Sequence, residues 1–260
     1  MENFKKILDD VRRITKEAGD FILKEFKKWQ NKEAPSLDGK DIHIPADLAS
    51  EKIIKKGLIK KYPDFNILAE ESGFLNKKSD YTFIVDPLDG TNNFIRHNPF
   101  FSISVALVYK NEIISGIIYA PFLQEEFWAQ KKYGAFANGK RITVSKNTKV
   151  EKSFIVACEG GEKDWHRTAK LYHKLLPETL EIRKLGSAAL ESAWVASGRA
   201  DGYITTKIES WDVAAGVLLV QEAGGKVTNF FNKPWDLKKS DLIFSNAKIH
   251  KKLLNKVKNI

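Results

Sequence analysis

The apolar residues of this chain change their period twice, and that change limits the fold more than any other feature. Phe4, Ile7, Leu8, Val11, Ile14, Ala18, Phe21 and Ile22 recur at three- and four-residue spacing, which predicts an amphipathic helix over the first thirty residues with Lys and Asp outside. A second helix is expected over 48–60 with Ile53, Ile54, Leu58 and Ile59 inward, after a polar, turn-rich stretch over 35–45. From 65 to about 145 the pattern becomes that of strands, at 66–69, 81–85, 101–109, 112–119, 126–130 and 141–145. Asn138-Gly139 is the strongest hairpin signal among them. Beyond 150, strands (153–158, 180–185, 202–205, 226–228, 242–245) alternate with helices (164–176, 188–197, 211–222), and a terminal helix follows. An α/β half thus follows an α+β half. We expect one domain, 1–260, with two lobes at about 1–148 and 149–260. The stretch between them, Lys146 to Lys152, is too short for a free linker, so the lobes should pack together.

A chain of 260 residues with 43% hydrophobic and 29% charged residues can bury a sizeable core, which excludes a solvated tail and a disulfide miniprotein. Lys and Arg exceed Asp and Glu by 43 − 33, or +10. The excess is scattered as Lys pairs and reads first as solvated surface, second as a field for anionic small molecules or nucleic acid. Cys158 stands alone behind the apolar run Phe154-Ile155-Val156-Ala157, so a buried core thiol and a reducing cytoplasm are expected. The start, MENFKKILDDVRR, lacks the apolar centre of a signal peptide. The longest apolar stretch, 113–123, is about half of the roughly 20 residues a bilayer requires, and Gly116 and Pro121 interrupt it. No membrane partner is expected.

The densest acidic group is Asp86-Pro87-Leu88-Asp89-Gly90-Thr91, directly after the apolar run 81–85. A buried strand that delivers carboxylates at its carboxyl end places them where sheets bind ligands. Pro87 turns Asp86 away from helical dihedrals, and Gly90 permits a sharp turn that exposes amides at Gly90 and Thr91 to phosphate oxygens. Carboxylates beside phosphate repel it unless metal ions intervene, and oxygen-only ligands suit Mg²⁺. Alone, Asp-Gly would be a turn, Glu70-Glu71 a solvated turn and Asp212 a helix cap.

Together, Ala69-Glu70-Glu71-Ser72-Gly73, Asp86-Pro87-Leu88-Asp89-Gly90-Thr91-Asn92-Asn93-Phe94 and Trp211-Asp212-Val213-Ala214-Ala215-Gly216 with Glu222-Ala223-Gly224-Gly225 resemble the inositol monophosphatase family of metal-dependent, lithium-sensitive sugar-phosphate phosphatases. Asp41-Ile42-His43-Ile44-Pro45-Ala46-Asp47 and Gly186-Ser187-Ala188-Ala189 match more weakly. The resemblance implies a layered α/β/α/β/α sandwich, a homodimer, and two or three Mg²⁺ acting on a small phosphate ester. It implies that Glu70, Asp86 and the Leu88 carbonyl hold one ion, that Asp86, Asp89 and Asp212 hold a second, and that a third lies near Glu70. Thr91 with Asp47 resembles the pair that orients and deprotonates the attacking water. Gly90 and Thr91 amides are expected on the phosphate, and Gly186, Ser187 and Ala188 face the alcohol; Glu70, Leu88, Asp89 and Asp212 border the substrate through the ions.

Three departures stand out. Ile44 replaces a common Thr, Asn92 replaces another, and Thr205 stands where inositol-directed members carry a substrate-contacting Glu. Fructose 1,6-bisphosphate and 3′-phosphoadenosine 5′-phosphate therefore remain alternative substrates. A haloacid-dehalogenase-type phosphatase fits less well: its two acids are two residues apart, while Asp86 and Asp89 are three apart and Glu70 and Asp212 would have no role. An RNA or transcription-machinery role is a further alternative, in addition to catalysis. His43, His97, His166, His173 and His250 lack paired ligand spacing and are not expected on a metal. Trp165, Trp194 and Trp211 are expected in the core.

Overall fold

The computed structural model describes residues 4–29, 44–159, 164–258 and 260. Eight strands make the first sheet: β1 Asn66–Ala69, β2 Gly73–Leu75, β3 Tyr81–Asp89, β4 Ser102–Tyr109, β5 Glu112–Ala120, β6 Glu125–Gln130, β7 Gly134–Ala137 and β8 Lys140–Ile142. Their order is β2-β1-β3-β4-β5-β6-β7-β8, antiparallel throughout except between β1 and β3. The second sheet joins β9 Phe154–Glu159, β10 Glu181–Arg183, β11 Gly202–Ile208, β12 Lys226–Asn229 and β13 Ser240–Ser245 in the order β10-β9-β11-β13-β12. β10, β9 and β11 run parallel, as their helical crossovers require.

The helices are α1 Phe4–Trp29, α2 Pro45–Lys61, α3 Thr91–Ile95, α4 Trp165–Leu175, α5 Ala188–Ala196, α6 Ser210–Glu222 and α7 His250–Val257. α1 and α2 cover the outer face of the first sheet, α5 and α6 lie between the sheets, and α4 and α7 cover the second sheet from outside. This is the expected layered α/β/α/β/α sandwich. Strand alternation divides the core accordingly. Ile103, Val105 and Leu107 of β4 pack with Ile7, Val11, Ile14, Ala18 and Ile22 of α1, whereas Ala106 and Val108 face Ala214, Ala215 and Leu218 of α6. Small residues let α6 approach closely on two sides. A Cβ on Gly116 would stand 2.8 Å from the Ala215 Cα, and one on Gly216 would overlap the Ser192 hydroxyl of α5.

The structure corrects several local expectations. α2 begins at Pro45, because proline suits a first helical turn, and its buried stripe is Ile54 and Leu58; Ile53 is partly buried and Ile59 is exposed. β3 continues past Val85 to Asp89, with a bulge between Asp86 and Asp89 that takes Pro87 out of register with β4. β2 and β7 were not expected, and the strand sought over 141–145 ends at Ile142. Trp165 is 44% exposed rather than buried; Trp194 and Trp211 are partly buried. Asn138 and Gly139 form the expected hairpin turn, with φ of 47° and 76° between paired Ala137 and Lys140. Cys158 is a buried free thiol. The stretch 35–43, including Asp41 and His43, lies outside the described residues. Among the described residues no helix is long and apolar enough to cross a membrane.

Candidate active site

The parallel pairing of β1 with β3 sets the first two acids side by side. Ala69 is paired with Val85, and the Glu70 amide continues the ladder onto the Val85 carbonyl at 3.2 Å. Glu70 and Asp86 therefore leave adjacent strands at one level, and the nearby Glu70 helps to raise the Asp86 carboxyl. The turn after Glu70 is held by α2, whose buried Glu51 accepts the Glu71 amide at 2.9 Å.

The bulge then turns Asp86 and Asp89 toward one point. The Leu88 amide donates to Asp86 Oδ1 at 3.0 Å, and the Ser50 hydroxyl of α2 holds the Pro87 carbonyl at 2.8 Å. Gly90, at φ +93°, reverses the chain into α3, and a Cβ there would stand 3.0 Å from the Phe100 carbonyl and 3.1 Å from that of Gly186. Only glycine meets both demands. The Thr91 hydroxyl donates to the Leu88 carbonyl at 3.0 Å. Asp47 is buried at the start of α2, where its Oδ2 accepts the Ile44 amide at 2.8 Å.

Asp212 arrives on α6, the helix packed between the two sheets. Ser104, paired with Asp86 on β4, donates to the Trp211 carbonyl at 3.3 Å and so fixes the start of α6 opposite Asp86. The Glu209 amide donates to Asp212 Oδ2 at 3.2 Å. Asp86, Asp89 and Asp212 then present oxygens that all lie within 4.8 Å of one another.

Asp89 is clamped by the start of α5: the Ser187 hydroxyl and the Ala188 and Ala189 amides (3.0 and 2.9 Å) donate to it, with Ser102 at 3.3 Å. The Ser187 hydroxyl and Ala188 amide, expected on the substrate, are thus turned toward Asp89, and both residues are buried. Gly186 remains partly exposed beside Gly90. Thr205, where a substrate-facing acid was sought, is fully buried and accepts a hydrogen bond from the Cys158 thiol at 3.3 Å. Its side chain is closed off from any ligand.

Burial raises all three acids, and for Asp86 and Asp212 repulsion from the neighbouring carboxylates adds to it. Asp86 is held well above the ordinary carboxylate range by burial and then by Glu70, Asp89 and Asp212. Asp212 is raised by burial, then by Asp89 and Glu70. Asp89 is pushed by burial only to about 6, because its hydrogen-bond donors oppose the shift. Among the described residues no Lys, Arg or His pairs with these three carboxylates. A hard divalent cation fits such a set: oxygen donors only, converging, with negative charge uncompensated by protein. The helper hydroxyls of Ser50, Ser102 and Ser104 went unnoticed in the sequence, and that of Ser187 was assigned to the substrate rather than to Asp89. The signal for two of them was present, since Ser102 and Ser104 alternate on the same face of an otherwise apolar strand.

The constellation and fold together place the chain in a class of known enzymes: it belongs to the inositol monophosphatase family, whose model matches residues 5–260. Membership supports a phosphatase. Among its relatives is the fructose-1,6-bisphosphatase/inositol-1-monophosphatase of Thermotoga maritima, 38% identical over 253 residues that cover 97% of this chain and 96% of the relative. Nus factor SuhB of Pseudomonas aeruginosa is 34% identical, covering 96% and 95%. The crystal structure of extragenic suppressor protein suhB from Bartonella henselae superposes with a TM-score of 0.91 at 35% identity, covering 98% of this chain and 99% of that one.

Proposed function

We propose that this chain is a Mg²⁺-dependent phosphomonoesterase that hydrolyses a small phosphorylated alcohol by in-line attack of water. The observation that carries this reading is the convergence of Asp86, Asp89 and Asp212 within 4.8 Å, with Glu70 on the neighbouring strand beside Asp86. Glu70, Asp86 and the Leu88 carbonyl would hold one ion; Asp86, Asp89 and Asp212 a second; a third would sit near Glu70. When bound, the ions neutralise phosphate charge and lower the pKa of water. The Thr91 hydroxyl and Asp47 orient the attacking water and take its proton. Gly90 and Thr91 amides hold the phosphate oxygens, and the Gly186 loop borders the alcohol. The water oxygen bonds to phosphorus as the bond to the alcohol oxygen breaks, and that oxygen takes up a proton. A homodimer, lithium sensitivity and a cytoplasmic setting belong to the same reading.

The substrate class is a sugar or cyclitol phosphate. Similarity to the fructose-1,6-bisphosphatase/inositol-1-monophosphatase of T. maritima supports fructose 1,6-bisphosphate and inositol 1-phosphate, the net charge of +10 favours the bisphosphate, and Thr205 offers inositol hydroxyls no charged acceptor. Initial rates on these two esters, 3′-phosphoadenosine 5′-phosphate and glycerol 2-phosphate, with Mg²⁺ or chelator, test the proposal. Turnover of at least one that chelator abolishes is expected; equal turnover in chelator would overturn it. A second role in transcription machinery is supported by the relatives named Nus factor SuhB together with the basic charge. Salt-dependent RNA binding that survives Asp86→Asn would support it.

A further inference from the structure

The apolar helix α5 carries a single acid, Glu191, and it is fully buried between the sheets. Its Oε1 accepts the Leu185 amide at 2.7 Å and the Gly186 amide at 3.2 Å, so the helix reaches back and ties down its own leading loop. From the other side, Asn93 of α3 donates to the Leu185 carbonyl at 2.8 Å and to the Phe100 carbonyl at 2.7 Å. Gly186, at φ +82°, leaves its carbonyl against Gly90. The next three residues supply the hydroxyl and two amides that clamp Asp89. One carboxylate therefore stands behind the loop that orients Asp89 and borders the substrate.

No packing argument explains an acid here. Among the described residues Glu191 has no cationic partner; burial raises its carboxyl to about 8, and its Oε2 is buried without a hydrogen-bond partner beside the Cys158 thiol. That thiol is itself engaged with the Tyr203 hydroxyl at 2.9 Å and with Thr205. An apolar side chain of similar volume would be easier to bury, because a lone buried carboxyl carries a desolvation cost that packing does not return. What an apolar side chain cannot do is accept the two loop amides.

We propose that Glu191 is a positioning residue: through the amides of Leu185 and Gly186 it holds the loop that sets Asp89 in the metal centre and closes the site against Gly90. This rests on the phosphatase reading above. It acts on geometry, so an amide that keeps the acceptor should replace it, whereas an apolar or shortened side chain should not.

The experiment compares Glu191→Gln, Glu191→Met and Glu191→Asp with wild type in three readouts: melting temperature, half-activating Mg²⁺ concentration, and kcat against KM on the best phosphomonoester. Loss of an acceptor for two amides should raise the half-activating Mg²⁺ or KM about tenfold in the Met and Asp variants, the order expected for one good hydrogen bond. The Gln variant should stay within about threefold of wild type. The melting temperature reports whether each variant folds. Met or Asp variants that fold and match wild type in Mg²⁺ activation and KM would overturn the proposal. So would a Gln variant as impaired as Met. If the Met variant does not fold, the Asp variant decides alone. A wild-type chain without Mg²⁺-dependent activity would instead remove the phosphatase reading, which the wild-type control reports separately.

Discussion

Replacing Asp86 by Asn should move stability and activity in opposite directions. Asp86 is only 1% exposed and shares its site with two carboxylates whose oxygens lie within 4.8 Å. At an effective dielectric of about 20, two unit charges at that distance repel by about 3 kcal/mol. Asn keeps an Oδ1 to accept the Leu88 amide, so the backbone turn survives. Because its folded pKa lies well above the ordinary 3.8, Asp86 binds a proton in the folded state that it releases on unfolding. The metal-free wild type must therefore lose stability as pH rises through that range, and the variant must lose less. At pH 8 in chelator we expect Asp86→Asn to be more stable by about 1–3 kcal/mol, or roughly 2–10 °C in Tm. At pH 5 the difference should shrink. Saturating Mg²⁺ should stabilise wild type more than the variant. Meanwhile kcat/KM should fall at least tenfold, a loss of about 1.4 kcal/mol or more in transition-state stabilisation. Thermal melts at both pH values, with chelator and with Mg²⁺, measure all of this. A variant less stable than wild type in chelator at pH 8, or a difference that does not change between pH 5 and 8, would refute the electrostatic argument.

Gly216→Ala should destabilise by about 1–3 kcal/mol, because the new methyl overlaps Ser192; Ser192→Gly in the same chain should restore most of the loss, and additive denaturation midpoints would argue against the contact. His250 is wedged between the Thr228 hydroxyl at 2.9 Å and the Ser245 hydroxyl at 2.8 Å, and burial first, then Lys226, lowers it to about 4. Its contribution should be present above about pH 6.5 and lost as pH falls toward 4, by about 1–3 kcal/mol after allowance for solvent screening. His250→Gln should flatten that part of the stability profile, and an unchanged slope would count against it.

The sequence made the layers and the acids legible for different reasons. Burial periodicity survives in any long element, so α1, β4, β5 and α6 could be read from their apolar spacing. Asp86 and Asp89 stood out as a dense acidic group after an apolar strand, while Asp212, which alone reads as a helix cap, joined them only through the motif resemblance. Short elements could not. β7 is Gly134-Ala135-Phe136-Ala137, whose small residues carry no strand preference and take their shape from β6 beside them. Ile59 looked inward because helix pattern alone does not say how wide the covered stripe is. Pro87 looked like the end of a strand until pairing with β4 revealed a bulge. Glu191 escaped notice because one acid in a helix normally marks the solvent side; only the three-dimensional return of the chain puts loop amides in front of it. Ser187 was read as a ligand contact, since sequence shows that a hydroxyl is near a site but not which way it turns.

The carboxylates of the site are shared between two stretches of chain that are made at different times. Asp86 and Asp89 leave the ribosome early, whereas Asp212 rides on a helix wedged by Gly116 and Gly216 against both the first sheet and α5. A nascent chain that ends before α6 has two of the three converging acids and lacks the helix that carries the third. If these carboxylates hold an ion as proposed, its capture would report finished assembly: a truncated product, however well its first sheet forms, would lack the third acid and should bind the ion more weakly than the whole molecule.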